Sequence, residues 1–219
     1  MTRPSHRDVV ATVLEQHGQT FTEELGSGGV KDTPAALFRL LCFAHLASAR
    51  IRHDIAVDAT RALFKQGWTT PQKMAAATWT QRTRTLNKAG YARYDESTSE
   101  RLGYNADLLI DRYGGDLRRL RDEAEHDPTE ERQRLKAFKG IGDVGVDIFF
   151  REAQVVWDEL YPFADRVALR CAGSLDLPDD PKALERLVEG DRHKFARLVS
   201  ALVRIELQKQ HEQVRRAAA

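Results

Sequence analysis

Two glycines flank one apolar residue in the segment LKAFKGIGDVGVDIFF, residues 135–150, and this pattern can bind an anion. Gly140 and Gly142 permit a tight turn between two helices, and Ile141 between them can anchor that turn in a core. The helix that follows exposes backbone N–H groups, which can hold a phosphate without reading a base sequence. A simple helix–helix turn with a C-cap glycine has the same pattern and needs no ligand. The pattern alone leaves both interpretations open.

A carboxylate follows the glycine pair along the chain. Asp165 comes after the run Tyr-Pro-Phe-Ala and directly before a short helical pattern that begins at Arg166. A carboxylate fixed at a helix start can stabilise positive charge that develops in a reaction. The same residue type is also a common N-cap, whose side-chain oxygen accepts hydrogen bonds from free backbone N–H groups. The sequence therefore predicts a helix start at Asp165, with a chemical or a capping role.

The charge balance restricts where an anionic partner could bind. The 219 residues include 34 Lys and Arg against 33 Asp and Glu, for a net charge of +1. Contacts with a nucleic acid must therefore come from local basic patches. One stretch contains Arg82, Arg84, Lys88 and Arg93, and a second contains Arg132, Arg134, Lys136 and Lys139. A solvated helix face is the alternative interpretation of each stretch.

The cysteines exclude several kinds of site. Cys42 and Cys171 both lie among apolar or small residues, so we expect buried free thiols. Two cysteines cannot ligate a four-cysteine iron–sulfur cluster, and they form no disulfide framework. We therefore expect no cluster, no metal site and a cytoplasmic protein. The N-terminus lacks the apolar run of a signal peptide, and no stretch approaches the about 18 apolar residues of a membrane span.

The elements that position these residues are predicted to be helices. A capping residue followed by proline marks four helix starts. These are Thr33-Pro34, Thr70-Pro71, Asp127-Pro128 and Asp180-Pro181. Apolar residues follow at helical spacing, and no segment shows sustained strand alternation. We therefore predict an all-α protein with an N-terminal helix around Val9–Leu14, a flexible joint at 26–29, a polar loop or exposed turn at 94–101 and a frayed end at 208–219.

The two motifs together resemble a known family. GIGDVGVDIFF followed by YPFADRVALRCAGSLDLP is similar to the helix-hairpin-helix and Gly/Pro-Asp module of endonuclease III, the mismatch adenine glycosylases and the 3-methyladenine glycosylases. Upstream, LLCFAHLASARI at 40–51 resembles the family helix that contains LLSAQ or LSQQ. TTPQKMAAAT followed by LNKAGYAR resembles its TPE-x-LA stretch. The resemblance spans about residues 33–178.

The resemblance implies a DNA base-excision repair glycosylase acting on a flipped, damaged or mismatched base in double-stranded DNA. Asp165 would be the catalytic carboxylate beside the sugar, where cleavage of the N-glycosidic bond builds positive charge. The residues implied to contact DNA are Lys139, Gly140, Ile141, Gly142, Val144, Gly145, His45 and Arg170. His45 occupies the place of a family glutamine that reaches into DNA, with a core or surface histidine as the alternative interpretation. Arg39 lies near the place of a catalytic glutamate in the adenine glycosylases; an arginine cannot act as that acid, and pairing with Asp165 or facing solvent are its alternatives.

This sequence departs from the family at the hairpin. Val144 stands where bifunctional members carry a lysine, so no Schiff base can form there. The resemblance then implies a monofunctional hydrolase with a water nucleophile, or a non-catalytic DNA- or lesion-binding protein. Lys139 replaces a common proline. Asp143 would repel DNA unless it points away or helps to hold a monovalent cation at the hairpin.

The resemblance also implies a domain arrangement. We expect a monomer with a six-helix lobe over residues 31–134. Residues 1–30 and 135–219 would form the second helical lobe, which carries the hairpin at 135–151 and Asp165.

Overall fold

The computed structural model describes residues 4–26 and 28–218, and these residues form fourteen α-helices, one short 3-10 turn at Asp158–Leu160 and no strand. The helices are α1 His6–His17, α2 Phe21–Glu24, α3 Pro34–Ala47, α4 His53–Lys65, α5 Pro71–Ala76, α6 Trp79–Lys88, α7 Asp95–Tyr113, α8 Leu117–Glu123, α9 Pro128–Leu135, α10 Asp143–Ala153, α11 Arg166–Ser174, α12 Pro181–Leu187, α13 Arg192–Gln208 and α14 His211–Ala218. The predicted all-α class is confirmed.

The four predicted cap-proline starts are also confirmed. α3, α5, α9 and α12 each begin at the proline, and the preceding side chain accepts a hydrogen bond from a backbone N–H in the first turn. These caps are Thr33, Thr70, Asp127 and Asp180. Each cap satisfies a donor that the helix itself leaves unpaired, which is why a two-residue signal sets the helix boundary.

One local expectation is confirmed in part, and one is wrong. The polar segment 94–101, expected as a loop or an exposed helical turn, is helical from Asp95 at the start of the long helix α7 but is partly buried: the hydroxyl of buried Ser99 donates to the Trp79 carbonyl at 2.9 Å. The end of the chain forms α14 over His211–Ala218, because Val214 packs fully buried against its surroundings. In the predicted joint at 26–29, Ser27 lies outside the described residues.

The chain divides into two compact units, each with its own core. The central unit is Val30–Phe149, and the terminal unit combines Met1–Gly29 with Phe150–Ala219. This division falls within α10 and groups the hairpin segment 135–149 with the central residues, whereas the sequence prediction assigned it to the other lobe.

Apolar helix faces build both cores. In the central unit α3 packs against α4, and α7 packs against α5 and α6, burying residues such as Leu40 and Leu109. In the terminal unit α13 packs against α1 and α11, and Phe195, Leu198 and Leu202 are fully buried. Among the residues that the structure describes, no helix has the length and apolar character needed to cross a bilayer.

Candidate nucleic-acid interface

The hairpin is a tight turn between α9 and α10 that only glycine permits at its first position. Gly140 has φ of +82°, in the left-handed region, and a Cβ there would lie 2.5 Å from Cε1 of His45. Ile141 is 4% exposed, and its backbone N–H donates to the Phe138 carbonyl at 3.0 Å. The apolar residue anchors the turn, as its position between the glycines predicts.

α7 clamps the turn through a residue that the sequence analysis missed. The Asn105 side chain accepts from the Lys139 N–H at 2.8 Å and donates to the Lys139 carbonyl at 2.9 Å. Asn105 is 5% exposed, so its amide is shielded from water, and its two bonds together fix the backbone at the exposed Lys139. The signal available in the sequence was a polar residue next to Ala106 on the buried face of a helical pattern.

The outer side of the turn is open. A Cβ at Gly142 would meet no atom within 4 Å, and Val144 is 60% exposed. The first backbone N–H groups of a helix have no intrahelical partner, and no hydrogen bond from the N–H of Gly142, Asp143 or Val144 occurs within the described chain. This end of α10 thus offers unpaired donors on a surface that a phosphate can approach.

The acidic residue at the turn has its charge compensated. The Asp143 carboxylate lies 2.9 Å from Nζ of Lys136 and 3.7 Å from a guanidinium nitrogen of Arg132. The hydrogen bond from Lys136 holds the pKa of Asp143 below its usual value, with Arg132 adding to the effect. Nearby, Nζ of Lys139 sits 3.7 Å above the centre of the Tyr104 ring. The repulsion expected between Asp143 and DNA is therefore reduced chiefly by Lys136, since Arg132 also pairs with Asp147 at 2.6 Å.

The His45 side chain packs against the hairpin turn at Gly140. It is 4% exposed, and burial lowers its pKa to about 4, with the Arg101 charge as a second cause and a hydrogen bond to the Lys139 backbone opposing them. The imidazole is therefore neutral at pH 7. Its Nδ1 has no hydrogen-bond partner, and the ring borders a cavity of about 280 Å³ shared with Gly140, Tyr91 and Arg101. The expected contact of His45 with DNA stays a prediction.

Asp165 is a buried and fully bonded N-cap in the terminal unit. One carboxylate oxygen accepts from the N–H groups of Val167 at 2.8 Å and Ala168 at 3.1 Å. The other accepts from Nε and a terminal nitrogen of Arg151 at 2.8 and 2.5 Å. The side chains of Arg151 and Asp165 are only 5% and 2% exposed. The predicted helix start is confirmed, and the carboxylate's charge is neutralised by a guanidinium.

Arg151 is the second residue at the candidate site that sequence reasoning missed. It follows Phe149 and Phe150 in α10, where a charged residue among apolar neighbours indicates a buried partner. Arg170, expected to contact DNA, is exposed and forms an ion pair within the protein: its Nε lies 3.0 Å from the Glu206 carboxylate. The expected role of Arg170 at DNA stays a prediction.

A comparison with solved structures agrees with the all-helical architecture, whereas two comparisons by sequence find no match. No family model matches the chain, and no curated protein matches it. A solved structure of endonuclease III, a trapped covalent intermediate with DNA in an estranged-adenine complex, matches with a TM-score of 0.50 and 15% sequence identity. The match covers 94% of this chain and 86% of that one. The protein therefore has the all-helical, helix-hairpin-helix fold of endonuclease III.

Proposed function

We propose that this protein binds double-stranded DNA through the hairpin, with the N–H groups at 142–144 holding a backbone phosphate. The observation that carries this proposal is the open surface at Gly142 on a turn that Asn105 and His45 make rigid. Nothing in the folded protein requires glycine at 142 on steric grounds, since its Cβ would point into open space. An approaching phosphate supplies a reason for a residue without a side chain.

The environment of the turn favours this partner. Lys136 compensates Asp143, Arg132 is shared between Asp143 and Asp147, and Lys139 adds a further cation close to the turn. Contacts of this kind fix the backbone of a duplex without reading bases. The fold shared with endonuclease III supports the same partner. Selection of a damaged or mismatched site, and action as a monomer, are part of this proposal.

The affinity experiment compares two glycines. Gly142→Val places a side chain where the phosphate would lie, and we expect duplex affinity to fall about tenfold or more, since a hydrogen bond to a charged group contributes about 1.5–3 kcal/mol and about 1.4 kcal/mol is tenfold. Gly173 in α11 is the matched control, because its Cβ would also meet nothing within 4 Å. Gly173→Val should bind a labelled duplex as the wild type does in fluorescence anisotropy at fixed salt. Equal affinity of all three proteins would refute the phosphate site.

A second candidate function is monofunctional base-excision glycosylase activity. It is favoured by Asp165, which lies at the start of the helix that follows the hairpin in a chain with this fold. Val144 supplies no amine, so the reaction would use water and form no Schiff base. The pairing with Arg151 argues against it, because a carboxylate whose charge is neutralised stabilises a cationic sugar poorly.

A lesion screen separates the two candidates. Purified protein is incubated with duplexes carrying uracil, alkylated, oxidised or mismatched bases, and excision is measured beside binding. Excision that Asp165→Asn slows on the order of 100-fold, while Arg151→Met retains it, supports the enzyme. Binding without excision of any base supports the DNA-binding function alone. The predicted lack of an iron–sulfur cluster is checked on the same preparation, since a brown protein would contradict it.

A further inference from the structure

Three side chains of different chemistry, none of which the proposed function uses, meet in the terminal unit. Cys171 lies on α11, Glu206 on α13 and His211 at the start of α14. Each offers one ligand atom, and the three atoms all lie within 4.8 Å of one another. Although the sequence leads us to expect no metal site, we propose that Cys171, Glu206 and His211 form a three-ligand site for a transition-metal ion, with Zn²⁺ as the ion that fits the ligands.

The ligand chemistry selects the metal. A thiolate, an imidazole and a carboxylate are the three groups that bind zinc in proteins, at about 2.0–2.3 Å each. Two ligand atoms bound to the same zinc ion lie at most about 4.6 Å apart, and closer at a tetrahedral angle. The three ligand atoms here lie within 4.8 Å of one another, so small side-chain rotations would bring them around an ion. Calcium and magnesium prefer oxygen ligands alone and would not use the sulfur or the nitrogen. A fourth, open position would hold water.

The electrostatics of the cluster also fit a divalent cation. Cys171 is fully buried, while the side chains of Glu206 and His211 are 20% and 23% exposed. One thiolate and one carboxylate would together balance the two charges of the ion. In the metal-free protein, Nε2 of His211 lies 2.7 Å from Oε2 of Glu206. The metal would replace this contact.

The surrounding structure already orients two of the ligands. Nε of Arg170 lies 3.0 Å from Oε1 of Glu206, the carboxylate oxygen that does not contact His211, so Arg170 fixes the carboxylate from outside the site. Lys209, between α13 and α14, has φ of 56° and reverses the chain, which brings His211 back towards Glu206. An ion here would join three helices and anchor α14 to the rest of the terminal unit.

The experiment uses full-length, tag-free protein stripped with a chelator and titrated with Co²⁺. We expect one equivalent to bind, with a thiolate-to-cobalt charge-transfer band in the near ultraviolet and the strong visible bands of a tetrahedral ion. Zn²⁺ should displace the cobalt. Cys171→Ser should abolish the charge-transfer band, whereas the matched variant Cys42→Ser, which removes the other buried thiol, should keep it. No band in the wild type, or a band that persists in Cys171→Ser, would overturn the proposal.

A second pair of variants keeps the test decisive if Cys171→Ser does not fold. His211→Ala removes a partly exposed ligand, and we expect Zn²⁺ affinity measured by isothermal titration to fall about 100-fold or more. His193→Ala, at an exposed position in α13, is the matched control and should bind as the wild type does. Arg170→Gln should weaken binding about tenfold, as expected for a residue that only orients a ligand. Equal affinity of His211→Ala and the wild type would refute the site.

Discussion

Arg151 and Asp165 form an ion pair in which both side chains are nearly excluded from water, at 5% and 2% exposed. Asp165 at the same time caps α11, so every acceptor position that its two oxygens commonly use is occupied. The pair thereby ties the last turn of α10 to the first turn of α11 within the terminal unit.

The first prediction concerns this pair. Asp165→Asn keeps the cap, because asparagine caps about as well as aspartate, but it removes the only carboxylate that the buried Arg151 guanidinium is seen to contact directly among the described residues. We expect a loss of about 3–5 kcal/mol in the free energy of unfolding, measured by urea denaturation. Arg151→Met should cost a similar amount. The double variant should cost clearly less than the two single losses added together, and strict additivity would show that the pair is not coupled.

The second prediction concerns the pH dependence of stability. The folded-state pKa of His45 is lowered from 6.5 to about 4, so below pH 6.5 the unfolded state binds a proton that the folded state does not. Stability therefore falls as the pH drops from about 6.5 to about 4, by about 3 kcal/mol from this residue, and it changes no further below that range. His45→Gln should remove this component of the slope in urea denaturation at several pH values. A slope identical to that of the wild type would contradict the assignment.

The third prediction contrasts the two hairpin glycines. Gly140→Ala adds a Cβ at a positive φ and 2.5 Å from His45, so we expect a loss of about 2 kcal/mol or more in stability. Gly142→Ala has open space and ordinary φ, and should cost no more than about 1 kcal/mol through its place at the helix start. Thermal unfolding compares the two. Adding His45→Ala to Gly140→Ala should recover part of the loss if the steric contact is its cause.

The fourth prediction concerns Asp143 and salt. Asp143→Asn removes the carboxylate that occupies Lys136, which frees this cation for a phosphate backbone, whereas Arg132 keeps its ion pair with Asp147 at 2.6 Å. We expect duplex affinity to rise several-fold at low salt, with a steeper fall as salt increases, because more phosphate charge is then neutralised. Anisotropy titrations at three salt concentrations measure the slope. Weaker binding than the wild type would instead indicate that Asp143 helps to hold a cation at the turn.

The sequence by itself determined the features that depend on near neighbours along the chain. A capping side chain and a proline act within one helical turn, so the starts of α3, α5, α9 and α12 follow from pairs of adjacent residues. The same local physics placed the helix start at Asp165 and the turn at Gly140. Together with the spacing of the two motifs, these signals were enough to predict the all-α class and the resemblance in fold.

The tertiary structure alone decided how polar side chains are paired. Asn105 clamps Lys139 across 34 residues, and Arg151 neutralises Asp165 across 14. The meeting of Cys171, Glu206 and His211 depends on how three helices pack. Helical spacing tells which face a residue lies on, but the crossing of one helix against another sets which polar atoms come within bonding distance. Burial then decides the charge state of a titratable side chain. The sequence places His45 on its helix, but only the folded structure shows that its imidazole is buried and neutral.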